Sequence, residues 1–241
     1  MLAISEFGYQ LTKFGLMNCY LVREEDGFTL VDTSMGAAKQ VVEAVKALGQ
    51  GPVRRIMLTH AHGDHIGSLD ALCQHGEFHL GGAVGTVPEV AISQREWSLL
   101  PKPPKQDLSL LPGEPPCKIK GSLPGAVTAA THALSDGELY GSLRCIATPG
   151  HTPGHFSFWD ERDGTLYAGD ALVTVGGQPH VAGFGPWFFP LPKLATWHRP
   201  TALESVEKMV ALGVPVQRIA AGHGPVVAGA GLLEAAVKAA R

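Results

Sequence analysis

The sequence predicts an α/β domain, and three observations carry that reading. Short apolar runs recur along the chain and end beside a histidine or aspartate, as strands do when they deliver side chains to a common rim. Stretches with apolar residues at helical spacing lie between those runs. With 241 residues, 45% hydrophobic and 17% charged, the chain can bury a substantial core without a second domain, so residues 1–241 are read as one domain.

In chain order, residues 18–22 and 28–31 are apolar runs on either side of Glu24-Glu25-Asp26-Gly27, and read as a hairpin turning at Asp26-Gly27. Residues 36–48 place Val41, Val45 and Leu48 on one helical face and stop at Gly49. Residues 54–59 read as the next strand and residues 90–100 as a short helix. Prolines crowd residues 101–124 too closely for a regular element. Residues 146–147, 165–168 and 218–221 read as strands. Residues 176–197 mix Phe184, Trp187, Phe188, Phe189 and Trp197 with glycine and proline, which reads as a loop. A capping box of Thr201 and Glu204 starts the last assigned helix, Val206, Met209 and Val210 form its buried stripe, and Gly213 ends it. The two halves share this layout, although no sequence repeat links them.

The chemistry is densest at His60-Ala61-His62-Gly63-Asp64-His65, four potential metal ligands in six residues. Side chains at i and i+2 point to one side of an extended segment, so His60 and His62 can grip one ion. Gly63 then lets the chain turn, and Asp64 and His65 face a neighbouring site. A zinc-type ion takes about four ligands, and a catalytic one keeps a place for water, so this density suits two ions. Three more donors follow short runs and a glycine: His151, Asp170 and His223. The remaining histidines, His75, His79, His132, His155, His180 and His198, read as surface or structural groups. Two of them stand out: His155, placed to orient the metal loop, and His180, within reach of a bound substrate.

The HxHxDH run, Thr148-Pro149-Gly150-His151-Thr152, Gly169-Asp170 and Gly222-His223-Gly224 follow one another in an order that resembles the metallo-β-lactamase superfamily, over nearly the whole chain. That resemblance implies an αββα sandwich, two mixed β-sheets face to face with helices outside. It also implies two divalent ions, zinc first, with manganese, iron or cobalt as alternatives. His60, His62 and His151 would hold the first ion and Asp64, His65 and His223 the second, with Asp170 bridging. Asp32 is similar to the family's upstream acid and would brace the ligand loop. A water bridging two such cations should ionise near neutral pH, against ~15.7 in bulk, giving a hydroxide nucleophile, with Asp64 handling the proton at the leaving group.

The resemblance leaves several bonds to choose from. Only 18 residues follow His223, too few for the helical region that glyoxalase II-like thioesterases append there. Many lactonases carry a tyrosine where this chain has Val173. No export leader of the β-lactamase kind is visible. The expectation is therefore hydrolysis of an ester, lactone or thioester of a small apolar substrate, with a β-lactamase-type amide hydrolase or an iron-dependent redox member as alternatives. Residues 97–130 and 174–200 are expected to be insertions that wall the substrate pocket, or else to pack on the core or a partner. A net charge of −3 gives no footprint for nucleic acid or an anionic membrane. Scattered cysteines (Cys19, Cys73, Cys117, Cys145) and the absence of a long apolar stretch suggest a cytoplasmic protein with reduced thiols, and self-association stays open.

Overall fold

The structure is a computed structural model and describes residues 1–74 and 87–241. His75, His79 and residues 82–86, in which the sequence offers no arrangement for a covalent nucleophile, lie outside the described residues. Among those described, seven strands form one sheet in chain order: β1 (Leu2–Ala3), β2 (Gly8–Lys13), β3 (Met17–Glu24), β4 (Gly27–Val31), β5 (Val53–Met57), β6 (Glu89–Ser93) and β7 (His132–Leu134). Within the span of that sheet come α1 (Ala38–Leu48), α2 (Gly63–Ile66), α3 (Leu69–Cys73) and α4 (Gln94–Trp97). A second sheet is built from β8 (Leu139–Tyr140), β9 (Leu143–Ala147), β10 (Phe156–Asp160), β11 (Thr165–Gly169), β14 (Arg218–Ala221) and β15 (Val227–Ala228). Its order is β15-β14-β11-β10-β9-β8, while β12 (Leu172–Val173) and β13 (His180–Val181) form a ribbon apart. The remaining helices are α5 (Leu191–Ala195), α6 (Arg199–Ala211) and α7 (Leu232–Ala240).

Strand periodicity explains the layering. Alternate residues point to opposite faces of a sheet, and here both faces are apolar. Tyr20, Val22, Val31, Met57 and Ala91 of the first sheet meet Cys145, Phe158, Tyr167 and Ala220 of the second in one core between the sheets. Their neighbours Leu21, Leu30, Ile56 and Ile92 face outward to Val41 and Val45 of α1 and Leu69 and Leu72 of α3. Leu166, Ile219 and Ala221 likewise face Val206 and Met209 of α6 and Leu233 and Ala236 of α7. The result is the helix–sheet–sheet–helix sandwich that the family resemblance implies. Fully buried side chains such as Phe158 contribute ~2–3 kcal/mol each relative to exposure.

Three local readings are corrected. Residues 90–93 are the end of strand β6, and only Gln94–Trp97 is helical. Val90 and Ile92 bury one face and Ala91 the other, and a short run that is apolar on both faces carries no periodicity to separate strand from helix. Helix α6 starts ahead of the Thr201 and Glu204 capping box, because the His198 side chain caps it by accepting from the Thr201 N–H, with proline in the first turn. The hairpin turns at Glu25-Asp26, since Gly27 is already paired with Glu24.

Candidate metal centre

Strand direction gathers the site. Strands β4, β5 and β6 run parallel, so their C-terminal ends share an edge of the first sheet. In the second sheet β10 is antiparallel to both β9 and β11, and β11 is parallel to β14, so β9, β11 and β14 also point one way. Past these ends lie Asp32 after β4, His60 and His62 after β5, His151 after β9, Asp170 after β11 and His223 after β14. Asp64 and His65 ride on α2, whose N-cap is His62. The structure brings all seven sequence-predicted donors together.

Three groups of donor atoms lie within 4.8 Å of one another: His60 with His62 and His151, Asp64 with His65 and His223, and His60 with His65 and Asp170. The first two are the sets that the resemblance implies. The third links them, and its acid is the expected bridge. Asp170 Oδ2 lies 3.4 Å from His151 Nε2 and 3.3 Å from His223 Nε2, while Oδ1 lies 3.3 Å from His65 Nε2.

The outer hydrogen bonds of the rings decide whether this cluster fits a cation. His62 Nε2 faces the Lys120 carbonyl at 2.8 Å and must donate to it, which leaves Nδ1 a bare lone pair. The Thr59 hydroxyl donates to Asp32, so it accepts from His60 Nδ1 at 3.0 Å. Thr196 donates to the Pro192 carbonyl, so it accepts from His151 Nδ1 at 3.2 Å. The three inward nitrogens stand 3.0 Å apart along His60 Nε2, His62 Nδ1 and His151 Nε2, with no proton of their own to share. His65 Nδ1 is held by Asp32 at 2.7 Å and His223 Nδ1 by the Leu16 carbonyl at 2.9 Å, so both turn Nε2 inward. Asp170 Oδ1 is buried and accepts no hydrogen bond. Five converging lone pairs and two carboxylates suit divalent cations, and the bonded outer nitrogens are the usual support of metal-binding imidazoles.

Electrostatics divide the cluster. Burial pushes His60, His62 and His151 below the ordinary imidazole range. Burial acts the same way on His65 and His223, but Asp170 with Asp32 and Asp64 outweighs it at His65, and Asp170 with Asp64 lifts His223 to about 10. Burial also opposes ionisation of the two acids. The imidazoles of His65 and His223 overcome it at Asp64, and those of His223, His65 and His151 at Asp170, holding both carboxyls well below their usual range.

Sequence reasoning missed several supports. Lys120 and Thr196 lie in the two predicted insertions, so those loops hold ligand rings as well as walling the cleft. The Lys120 ammonium donates to the Thr196 carbonyl at 3.1 Å and ties the loops together. Gly121 is required beside them, because a Cβ there would collide with the His62 ring. His155 donates to Thr148, at the start of the His151 loop, through Nδ1 and accepts the Asp170 N–H at Nε2, so it ties that loop to the central acid.

A cleft of about 590 Å³ opens onto the donors, lined by Met35, Ile66, Pro124, Ala126, Leu191 and Pro192 among others. Asp64, with its side chain 34% exposed, is the most open of the seven. Residues of both stretches line this cleft, but none of the five loop aromatics does. Phe189 packs 5.6 Å from the His223 ring, Trp197 is buried and donates to the Cys117 carbonyl, and Phe184 joins the core under α6 and α7. Trp187 and Phe188 line a separate shallow cavity with His180, so His180 does not face the donors through the cleft. The four cysteines are free and none enters the ligand groups. No described helix is long and apolar enough to cross a membrane.

Residues 13–223 match the family model described as the metallo-beta-lactamase superfamily. Among curated proteins, YobT of Bacillus subtilis strain 168, uncharacterized, is 44% identical over 90% of this chain and 88% of its own. A probable metallo-hydrolase of the same organism, YflN, is 30% identical over 87% and 81%. A hydroxyacylglutathione hydrolase of Methylococcus capsulatus is 29% identical over 65% of this chain and 48% of its own length. In fold, the crystal structure of the BLEG-1 B3 metallo-beta-lactamase matches with a TM-score of 0.65 at 24% identity, over 92% of this chain and 93% of that one.

Proposed function

The chain belongs to the metallo-β-lactamase superfamily, and from that premise we propose that it is a dinuclear metal-dependent hydrolase cleaving an ester, lactone or thioester of a small, largely apolar substrate. The observation that carries this reading is the convergence of five imidazole nitrogens, each with its outer N–H already donated, on two carboxylates beneath an apolar cleft. His60, His62 and His151 would hold one cation, Asp64, His65 and His223 the other, and Asp170 would touch both. Divalent cations bound there would lower the pKa of water and polarise a substrate carbonyl.

The chain's own residues supply the rest. Asp64 reaches both the His223 ring, at 3.2 Å, and the cleft, so its carboxylate would accept a proton from the attacking water and return it to the leaving group. Leu191, Pro192, Ile66 and Met35 seat the apolar part of the substrate and exclude water from the reacting bond. The likeness to a hydroxyacylglutathione hydrolase favours a hydrolase of acyl compounds. A panel of lactones, thioesters, aryl esters and β-lactams tested on zinc-, manganese- and iron-loaded protein decides the matter. Turnover of an oxygen or sulfur ester is expected, and turnover of β-lactams alone contradicts the proposal.

A further inference from the structure

We propose that Glu96 is a positioning residue for the three-histidine half of the metal centre, its carboxylate stapling the loop of His60 and His62 to the loop of His151. This rests on the metal-centre reading above. Glu96 is fully buried. Its Oε2 accepts the Ala61 N–H at 2.9 Å, and Ala61 is the residue between His60 and His62. Its Oε1 accepts the Gly154 N–H at 2.9 Å, in the turn that carries His151. One carboxylate thus joins two ligand segments that extend from different sheets.

The surroundings reinforce the joint. Ser93 Oγ donates to the Gly154 carbonyl at 2.6 Å and accepts the Glu96 N–H at 3.2 Å, so the turn from β6 into α4 grips both ends of Gly154. A Cβ on Gly154 would lie 2.6 Å from Arg95 Cβ and 2.8 Å from Glu96 N, which shows backbone packed on backbone. Glu96 also follows the strand after those bearing Asp32 and His60, at the edge where parallel strands present their functional groups. Burying a carboxylate is costly unless it is well bonded, and the adjacent Arg95 is committed to Glu114 at 2.6 Å. Its direct partners include these two backbone N–H groups, and both belong to ligand loops.

Glu96→Gln keeps the volume but turns one acceptor into an NH2 group that faces an N–H donor, which opens one side of the staple. Zinc titration against a chromophoric chelator, with cobalt(II) absorption as a second readout, compares the variant with the wild-type protein. Two equivalents should bind the wild type. In Glu96→Gln one of them should weaken by about 10–100-fold while the other is unchanged, and the altered cobalt band should be the one that His151→Ala removes and His223→Ala retains. Ser93→Ala, a milder release of the same turn, should weaken that site in the same direction. Equal weakening of both sites, or unchanged affinity with only a lower Tm, overturns the proposal. If Glu96→Gln does not fold, unchanged affinity in Ser93→Ala overturns it. A wild-type protein that binds no zinc overturns the metal-centre reading as well.

Discussion

The two halves of the donor cluster are built from different chemistry. His60, His62 and His151 are neutral rings whose outer N–H groups end on a threonine hydroxyl, a carbonyl and another threonine hydroxyl. Asp64, His65 and His223 form an acid-rich set in which the carboxylates draw protons onto the imidazoles. In the first half the converging lone pairs have no proton of their own to share. In the second, protons can stand in for a cation. The halves should therefore respond differently to acid and share only what touches both.

Asp170 is the shared group, and its removal should have the largest effect. Asp170→Ala is expected to abolish turnover and lower the metal content of both halves, whereas His223→Ala should empty only the acid-rich one. Elemental analysis after gel filtration measures this, and an Asp170→Ala protein retaining two ions contradicts the shared role.

Acid should then separate the halves. The metal-free His65 and His223 have raised pKa values, about 10 for His223, so near neutral pH they carry protons that a cation must displace. If both protons leave, affinity of that half should fall up to about 100-fold for each pH unit lowered. His60, His62 and His151 have lowered values and remain neutral there, so their half should show little slope until well below pH 6.5. Zinc titrations between pH 6 and 8 read the two slopes, and equal slopes break the distinction.

Asp32 comes next, because it touches both halves indirectly. It holds His65 directly and His60 through the Thr59 hydroxyl, and it does so from a left-handed backbone (φ 56°) that turns its carboxylate back towards the ligand loop. Asp32→Asn should weaken the acid-rich half by about 10–100-fold and the three-histidine half by less. The smallest effects are at the cleft. Leu191→Ala should raise KM for apolar substrates by about fivefold, the loss of roughly 1 kcal/mol of apolar burial, while Phe188→Ala, outside the cleft, should leave KM and metal content unchanged.

The contrast also marks what the sequence could reveal. The seven donors were legible because four lie in one six-residue run and the others each follow a strand and a glycine. The sandwich was legible only through family resemblance, since strands apolar on both faces leave little periodicity. That is why residues 90–93 read as helix. The supports were hidden for another reason. Glu96 meets Ala61 and Gly154, and Lys120 and Thr196 meet His62 and His151, all across long stretches of chain that no local pattern reports. Glu96 did carry one faint signal, an acid just past an apolar run, as Asp32 and Asp170 are.

Anomalous diffraction from crystals grown with zinc tests the central claim most directly. Two peaks per chain are expected, one among His60, His62 and His151 and one among Asp64, His65 and His223, with Asp170 reaching both. A single peak, or peaks away from these donors, would contradict the account.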